Sequence, residues 1–258
     1  MTLLIEERGP VALLTIDRPA KRNALDAATV GAIEEFFRKP PVGVSAAVIA
    51  SSGDHFSAGL DLSELCETTA FEGVLHSRSW HQAFDAIQFG SIPVVSVLKG
   101  AVLGGGLEVA AATHVRVAEA SAYYALPEAS RGIFVGGGAS VRLSRLIGVD
   151  RMVDMMLTGR VLSADEGHQL GISQYLVGDG EGLDRALELA ERIARNSPVS
   201  NFAVLQALPR IAEMGPNEGL FVEALMAAIT QSSEESKERL QDFLAGRAAK
   251  VVSADREE

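Results

Sequence analysis

Short runs rich in valine and isoleucine alternate with helical stretches along the first two thirds of the chain. That alternation narrows the choice of fold more than any other feature. Val11–Ile16, Ala46–Ala50, Ile92–Leu98, Val115–Ala118 and Ile172–Val177 are bounded by Gly, Pro, Asp or Ser, as strands are. Between them, Ala27–Arg38 opens after Asp26, an expected helix N-cap, and a second helix is expected over Gly106–Thr113, with Lys99–Leu103 as the loop before it. Strands alternating with helices build α/β layers rather than a sandwich or a bundle. No repeat of roughly 20–50 residues, the mark of a solenoid, is visible.

The last third changes character. Gly182–Asn196 places Leu183, Leu187, Ala190 and Ala194 on one helical face. Leu220–Ile229 is apolar nearly all round, too apolar for a solvated helix, and Ser236–Ala249 has the polar face of a terminal helix. Pro198, Pro209 and Gly215-Pro216 punctuate this part. The expected division is a core over residues 1–197 and a helical region over 198–258.

Composition removes several function classes. The 258 residues are 47% hydrophobic and 22% charged, which is globular rather than disordered. The formal charge of −11 argues against a nucleic-acid partner. Cys66 is the only cysteine, so neither an internal disulfide nor a cysteine-based metal cluster can form. No apolar run approaches the length of about 20 residues that a membrane span needs. The acidic start, Met1 to Arg8, resembles neither a secretory signal nor a transit peptide, and the expected location is cytoplasmic.

Two glycine clusters carry the chemistry. Gly104-Gly105-Gly106 and Gly136-Gly137-Gly138 complete neither a dinucleotide fingerprint nor a P-loop. The first lies where a strand and loop pass into a helix N-terminus. Backbone N–H groups there lack intrahelical partners, and the absence of Cβ lets a substrate oxygen approach. Glu108 lies one helical turn past Gly105, on its face. Glu128 follows Pro127, which imposes a non-helical approach, and precedes the second cluster, which is expected to serve the turn. Two glutamates beside two glycine-rich turns can bracket a water or a reacting carbon.

These residues fall into a known order. Arg18-Pro19 precedes Asn23-Ala24-Leu25, and Phe56-Ser57-Ala58-Gly59-Leu60-Asp61-Leu62 follows. Next come Pro93-Val94, Gly100, Leu103-Gly104-Gly105-Gly106-Leu107-Glu108, then Pro127-Glu128, Gly132 and Arg142-Leu143, then Leu157-Thr158-Gly159, Ala164, Gly171 and Val177. The ordered set resembles the enoyl-CoA hydratase/isomerase (crotonase) superfamily over nearly the whole chain. The resemblance implies an α/β fold, a spiral of ββα units with a helical C-terminal trimerisation region, and a homotrimer or a hexamer, since trimers of the family often pair. It implies an acyl-CoA thioester substrate, with CoA arriving as part of the substrate, no separate cofactor and no metal. The thioester oxygen would be held by the N–H groups of Leu60 and Gly105. Glu108 would activate water and Glu128 would protonate Cα, as in the family's two-glutamate hydratases. Arg22, Ala24, Ser57, Ala58, Gly59, Leu60, Asp61, Leu62, Gly104, Gly105 and Pro127 would line the CoA and acyl groove.

Within the family, Glu108, Glu128 and Gly136 together match hydratases better than isomerases or synthases. The rivals are another crotonase-type activity (isomerase, aromatic acyl-CoA hydratase-lyase or thioester hydrolase) and a non-catalytic acyl-CoA-binding subunit. Departures from the hydratase pattern are Val135 in place of proline, Arg131 in place of an apolar residue, and Ser63 and Gly246 or Ala248 where lysines often meet CoA phosphates. Lys21, Arg22, Arg247 and Lys250 are the candidate substitutes. His55, His76, His81, His114 and His168 are expected to be structural or solvated, Cys66 inert, and Met152, Met155 and Met156 packing residues.

Overall fold

A computed structural model describes residues 2–64 and 69–247. Cys66, Ala248 and Lys250 lie outside the described residues. The chain divides into two compact units, Met1–Arg195 and Asn196–Glu258.

The first unit opens with β1 (Leu3–Arg8), β2 (Val11–Ile16), α1 (Ala27–Arg38), β3 (Ala46–Ser51) and α2 (Ala70–Gln88). It continues with β4 (Val94–Leu98), β5 (Ala101–Leu103), α3 (Gly105–Ala112), β6 (Val115–Glu119), β7 (Tyr123–Ala125), α4 (Ala139–Ile147) and α5 (Val149–Thr158). It ends with β8 (Leu162–Ser163), α6 (Ala164–Gln169), β9 (Tyr175–Val177) and α7 (Gly182–Ala194). Six strands form one sheet in the order β1-β2-β3-β4-β6-β9, and β5-β7-β8 form a second. From β2 to β9 the large sheet is parallel, and only β1 runs antiparallel. Parallel strands are covered on both faces, which is why β3 and β4, apolar but for Ser51 and Ser96, show no alternation and are buried throughout. Val48, Val95, Val97 and Val117 pack under Ala186, Leu189 and Ala190 of α7, while Ile49, Val94 and Leu98 join the core shared with Ile33, Phe37 and Phe84.

The architecture is a spiral. In one turn the chain lays β4 in the large sheet, β5 in the small sheet, and then α3. In the next it lays β6 against β4, β7 against β5, and α4 beside α3. The turn before begins with β3 and passes through Ser57, which bridges to Val102 of β5, before reaching α2. Stacked turns bring chain positions at equivalent corners together, and that stacking builds the site.

Several expected bounds shift. The strand expected from Ile92 begins at Val94, since Pro93 has no N–H for the ladder. The loop expected over Lys99–Leu103 holds β5, and the helix expected from Gly106 starts at Gly105. Asp26 caps α1 as expected, its carboxylate accepting from the Thr29 amide at 2.8 Å. The second unit contains α8 (Pro198–Gln206), α9 (Leu208–Ile211), α10 (Pro216–Ser232) and α11 (Glu234–Leu244). The terminal helix begins two residues earlier than expected, capped by Ser233, and stops before Gly246, whose φ of 71° is left-handed. No described helix is long and apolar enough to cross a membrane.

Candidate active site

Three corners of successive spiral turns meet at one cleft of about 330 Å³. Its walls come from Ala58–Leu60, Gly104-Gly105 with Glu108, and Glu128 with the segment Ile133–Gly137; Trp80, Ser77 and His76 of α2 close one side.

The first corner is held from below. Asn23 has φ 55°, a left-handed conformation that asparagine tolerates, and its side chain donates to Ser52 O and His55 O while accepting from the Arg18 amide. This fixes Leu25, which donates to Gly59 O at 2.7 Å and accepts from Asp61 N at 2.8 Å. Because the groups flanking Leu60 turn toward Leu25, the Leu60 N–H points the other way, as alternation along an extended strand requires. Asp61 locks the far end, accepting from Arg18 and Lys21 at 2.8 Å each. Those hydrogen bonds hold its carboxyl well below the usual range, with Lys21 and Ser63 ahead of Arg18 in effect.

The second corner is the start of α3. Gly104 has φ 50° and ψ −122°, and a Cβ there would meet Glu128 Oε1 at 2.6 Å. As the first helical residue, Gly105 has no intrahelical acceptor for its N–H. Neither its N–H nor that of Leu60 donates to any acceptor among the described residues. The two lie close, since a Cβ on Gly105 would sit 3.3 Å from Leu60 N and 2.7 Å from the Trp80 ring. A pair of free amides converging on one cleft can hold an oxygen that is gaining negative charge.

Both glutamates are buried, at 3% and 7% exposure. Glu108 Oε1 accepts from Gly137 N at 2.8 Å and Ala139 N at 3.0 Å. Burial pushes its carboxyl up, against the pull of those amides and of the Arg142 guanidinium. Gly137 therefore does more than make the turn after Glu128: its amide orients Glu108, and a Cβ there would lie 2.7 Å from Glu108 Oε2 and 2.8 Å from Phe84. Glu128 has less help. Its Oε2 is buried without a hydrogen-bond partner, and burial, then repulsion from Glu108, raises its carboxyl.

Of the positions expected to line the groove, Ala58, Gly59, Leu60, Leu62, Gly104 and Gly105 meet at this cleft with Glu108 and Glu128. Arg22 instead lines a separate hollow with Asn23, Ser52 and Asp54. The side chain of Asp61 is turned to Arg18 and Lys21, which leaves Lys21 engaged, and Arg247 is paired with Asp242 at 2.6 Å. Ser57, Ala24 and Pro127 lie in the adjoining backbone rather than in the cleft wall. His114 and His55 are structural, accepting from the Val94 and Ala101 amides, and burial pulls His114 down to about 4. His76 is different, for it lines the cleft edge-on to Trp80. Trp80, Ser77 and His76 are site residues that the glycine and glutamate pattern does not reveal, since they come from α2. Its capping box, Thr69 to Glu72, was a readable signal.

The enoyl-CoA hydratase/isomerase family model matches residues 6–251. The chain belongs to the enoyl-CoA hydratase/isomerase family. It is 30% identical over 250 residues to the short-chain-enoyl-CoA hydratase of Clostridium acetobutylicum, covering 94% of each chain. It is 31% identical over 244 residues to the 2,3-dehydroadipyl-CoA hydratase of Escherichia coli K12, covering 94% of this chain and 95% of that one. A crystal structure from Rhodopseudomonas palustris CGA009 superposes with a TM-score of 0.93 at 58% identity, covering 97% of each chain. The mixed α/β crotonase fold with a helical C-terminal region is thereby shared, and an acyl-CoA thioester substrate is consistent with the family.

Proposed function

We propose that this family member is an enoyl-CoA hydratase that adds water across the 2,3 double bond by two-glutamate acid/base catalysis. The observation that carries this reading is the pairing, in one cleft, of two buried carboxyls with raised affinity for protons and two unengaged amides. Water attack at Cβ drives electron density onto the thioester oxygen. The Leu60 and Gly105 N–H groups lower the cost of that charge, and removing one such donor typically costs roughly 3–4 kcal/mol of barrier.

Glu108, oriented by two amides, accepts a proton from water as its oxygen bonds to Cβ. Glu128, raised and with a bare Oε2, delivers a proton to Cα. The net change is one water added; the proton gained by Glu108 leaves through solvent and Glu128 regains one. CoA enters as part of the substrate, and no separate cofactor or metal is required. Arg22, exposed on its left-handed turn, is a cation open to CoA phosphate while Lys21 is committed to Asp61. The apolar wall of Leu60, Trp80, Ile133, Phe134 and Val135 suits an acyl chain. We further propose a cytoplasmic enzyme working as a trimer or hexamer.

The test is turnover of a panel running from crotonyl-CoA to longer and aromatic enoyl-CoAs. Glu108→Gln and Glu128→Gln should each lower kcat by about 100-fold or more, the scale of a positioned acid or base, with acyl-CoA binding retained. Double-bond migration without water uptake would point to an isomerase. Binding without turnover would point to an acyl-CoA-binding subunit.

A further inference from the structure

We infer that Arg142 is a positioning residue for Glu108, acting through the peptide planes of the Gly136–Gly138 turn. The inference rests on the reading of Glu108 as the base of hydration. Arg142 is buried in α4 with 8% exposure and does not itself line the cleft. Its Nε donates to Gln88 Oε1 at 2.7 Å, its Nη2 to Asp85 Oδ1 at 2.5 Å, and its Nη1 to Gly137 O at 3.0 Å. Gln88 and Asp85 both project from α2, so the guanidinium is clamped to that helix on two sides and extends its third side to the turn. One residue upstream, Gly136 O accepts from Ser77 Oγ at 2.6 Å, also from α2.

A trans peptide is planar, and its C=O and N–H point in opposite directions. The Gly136 carbonyl shares its plane with the Gly137 N–H, and the Gly137 carbonyl shares its plane with the Gly138 N–H. Drawing both carbonyls toward Ser77 and Arg142 therefore turns both amides to the opposite side, where Glu108 lies. Gly137 N donates to Glu108 Oε1 at 2.8 Å, and the Gly138 amide also favours its ionised form. Glycine suits the turn at Gly138, whose φ of 110° is left-handed and whose missing Cβ leaves room for Nη1 of Arg142. A buried Arg spent on a backbone carbonyl and two helix side chains thus sets the direction of the amides that orient the base.

The charge acts alongside the geometry. Glu108 faces Arg142 from α4 and Glu128 from the third corner. Arg142 in turn faces Asp85 from α2 and Arg145 from its own helix, and His81 with Arg78 lies on the α2 side. Arg142 favours ionised Glu108, whereas Glu128 opposes it. Asp85 partly neutralises Arg142.

The experiment combines steady-state kinetics with carbon NMR titration of glutamate carboxyls in labelled protein, Glu108 being assigned by its loss in Glu108→Gln. Arg142→Gln should move the Glu108 titration and the acid limb of kcat to higher pH. It should lower kcat by about 10-fold or more through misdirection of the base, with KM little changed. Arg142→Lys keeps the charge but not the three-way fork, so titration should return toward wild type while kcat stays depressed. Asp85→Asn, at a half-exposed site that tolerates exchange, should move titration the other way, to lower pH. A folded Arg142→Gln protein with wild-type Glu108 titration and wild-type kcat overturns the inference. If that variant fails to fold, a wild-type kcat in Arg142→Lys together with an unmoved titration in Asp85→Asn overturns it. Should the wild type hydrate no enoyl-CoA, the hydratase reading fails on the kinetic arm, and the titration arm still decides the role of Arg142.

Discussion

Glu108 and Glu128 share a cleft but not an environment. Glu108 is held by two amides and faced by a guanidinium, whereas Glu128 keeps an oxygen with no partner. An unpartnered carboxyl in a partly apolar cleft holds its proton more strongly, the property an acid needs. The same property has a cost in stability. A carboxyl raised in the folded state contributes stability below its unfolded value of 4.5, and that contribution is lost as pH rises toward the folded value. Glu128→Gln cannot titrate and forgoes no hydrogen bond at Oε2. Its melting temperature should match the wild type near about pH 4 and exceed it near about pH 8. Parallel melting curves for the two proteins across this range would mean that Glu128 is not raised in the fold. At this scale the two glutamates and two glycine corners were legible, because each stands beside a glycine or proline whose conformation limits the chain. The partners of Glu108 were not legible: Gly137, Ala139 and Arg142 reach it only through tertiary contact.

The elements deliver these residues by stacking. β5 and β7 pair in register, Leu103 with Ala125, so the segments that follow, Gly104-Gly105 and Leu126–Glu128, emerge side by side. Strands and amphipathic helices could be read from periodicity, and α1 is found with its expected bounds and cap. The spiral could not be read as a repeat, because its turns enclose helices as unlike as the 19 residues of α2 and the 8 of α3. The short β5, β7 and β8 carry too few residues to stand out from loops, and only their pairing makes them strands. The corner between β5 and α3 predicts a specific failure. In Gly105→Val the new side chain enters the space of Trp80 and crowds Leu60 N, so turnover should fall strongly while the helical circular dichroism of α3 and its neighbours persists. Gly137→Ala, which forces a methyl against Glu108 and Phe84, should also cost turnover although it lies outside the glycine triplet of α3. A folded Gly105→Val protein with the wild-type rate would remove Gly105 from the site.

On the scale of the whole molecule, α10 is the feature still without an occupant. Leu220, Phe221, Leu225 and Ile229 are all exposed on it, as are Phe202, Val204 and Leu208 on the helices before it. Exposed apolar area of this kind characterises protein–protein interfaces. The proposed trimer or hexamer should appear as a multiple of the subunit mass in light scattering at micromolar protein, and a strictly monomeric mass would contradict it. The charge of −11 and the apolar cleft agree with a small thioester ligand better than with a nucleic acid. Hydration at Cβ, the reaction proposed for this chain, is measured most directly by incubation with crotonyl-CoA in 18O-labelled water followed by mass spectrometry. A two-glutamate hydratase gives a hydroxyacyl-CoA carrying one solvent oxygen on Cβ, formed by the wild type and nearly lost in Glu108→Gln and Glu128→Gln. Absence of the label from every enoyl-CoA tested, or its undiminished uptake in both variants, would contradict it.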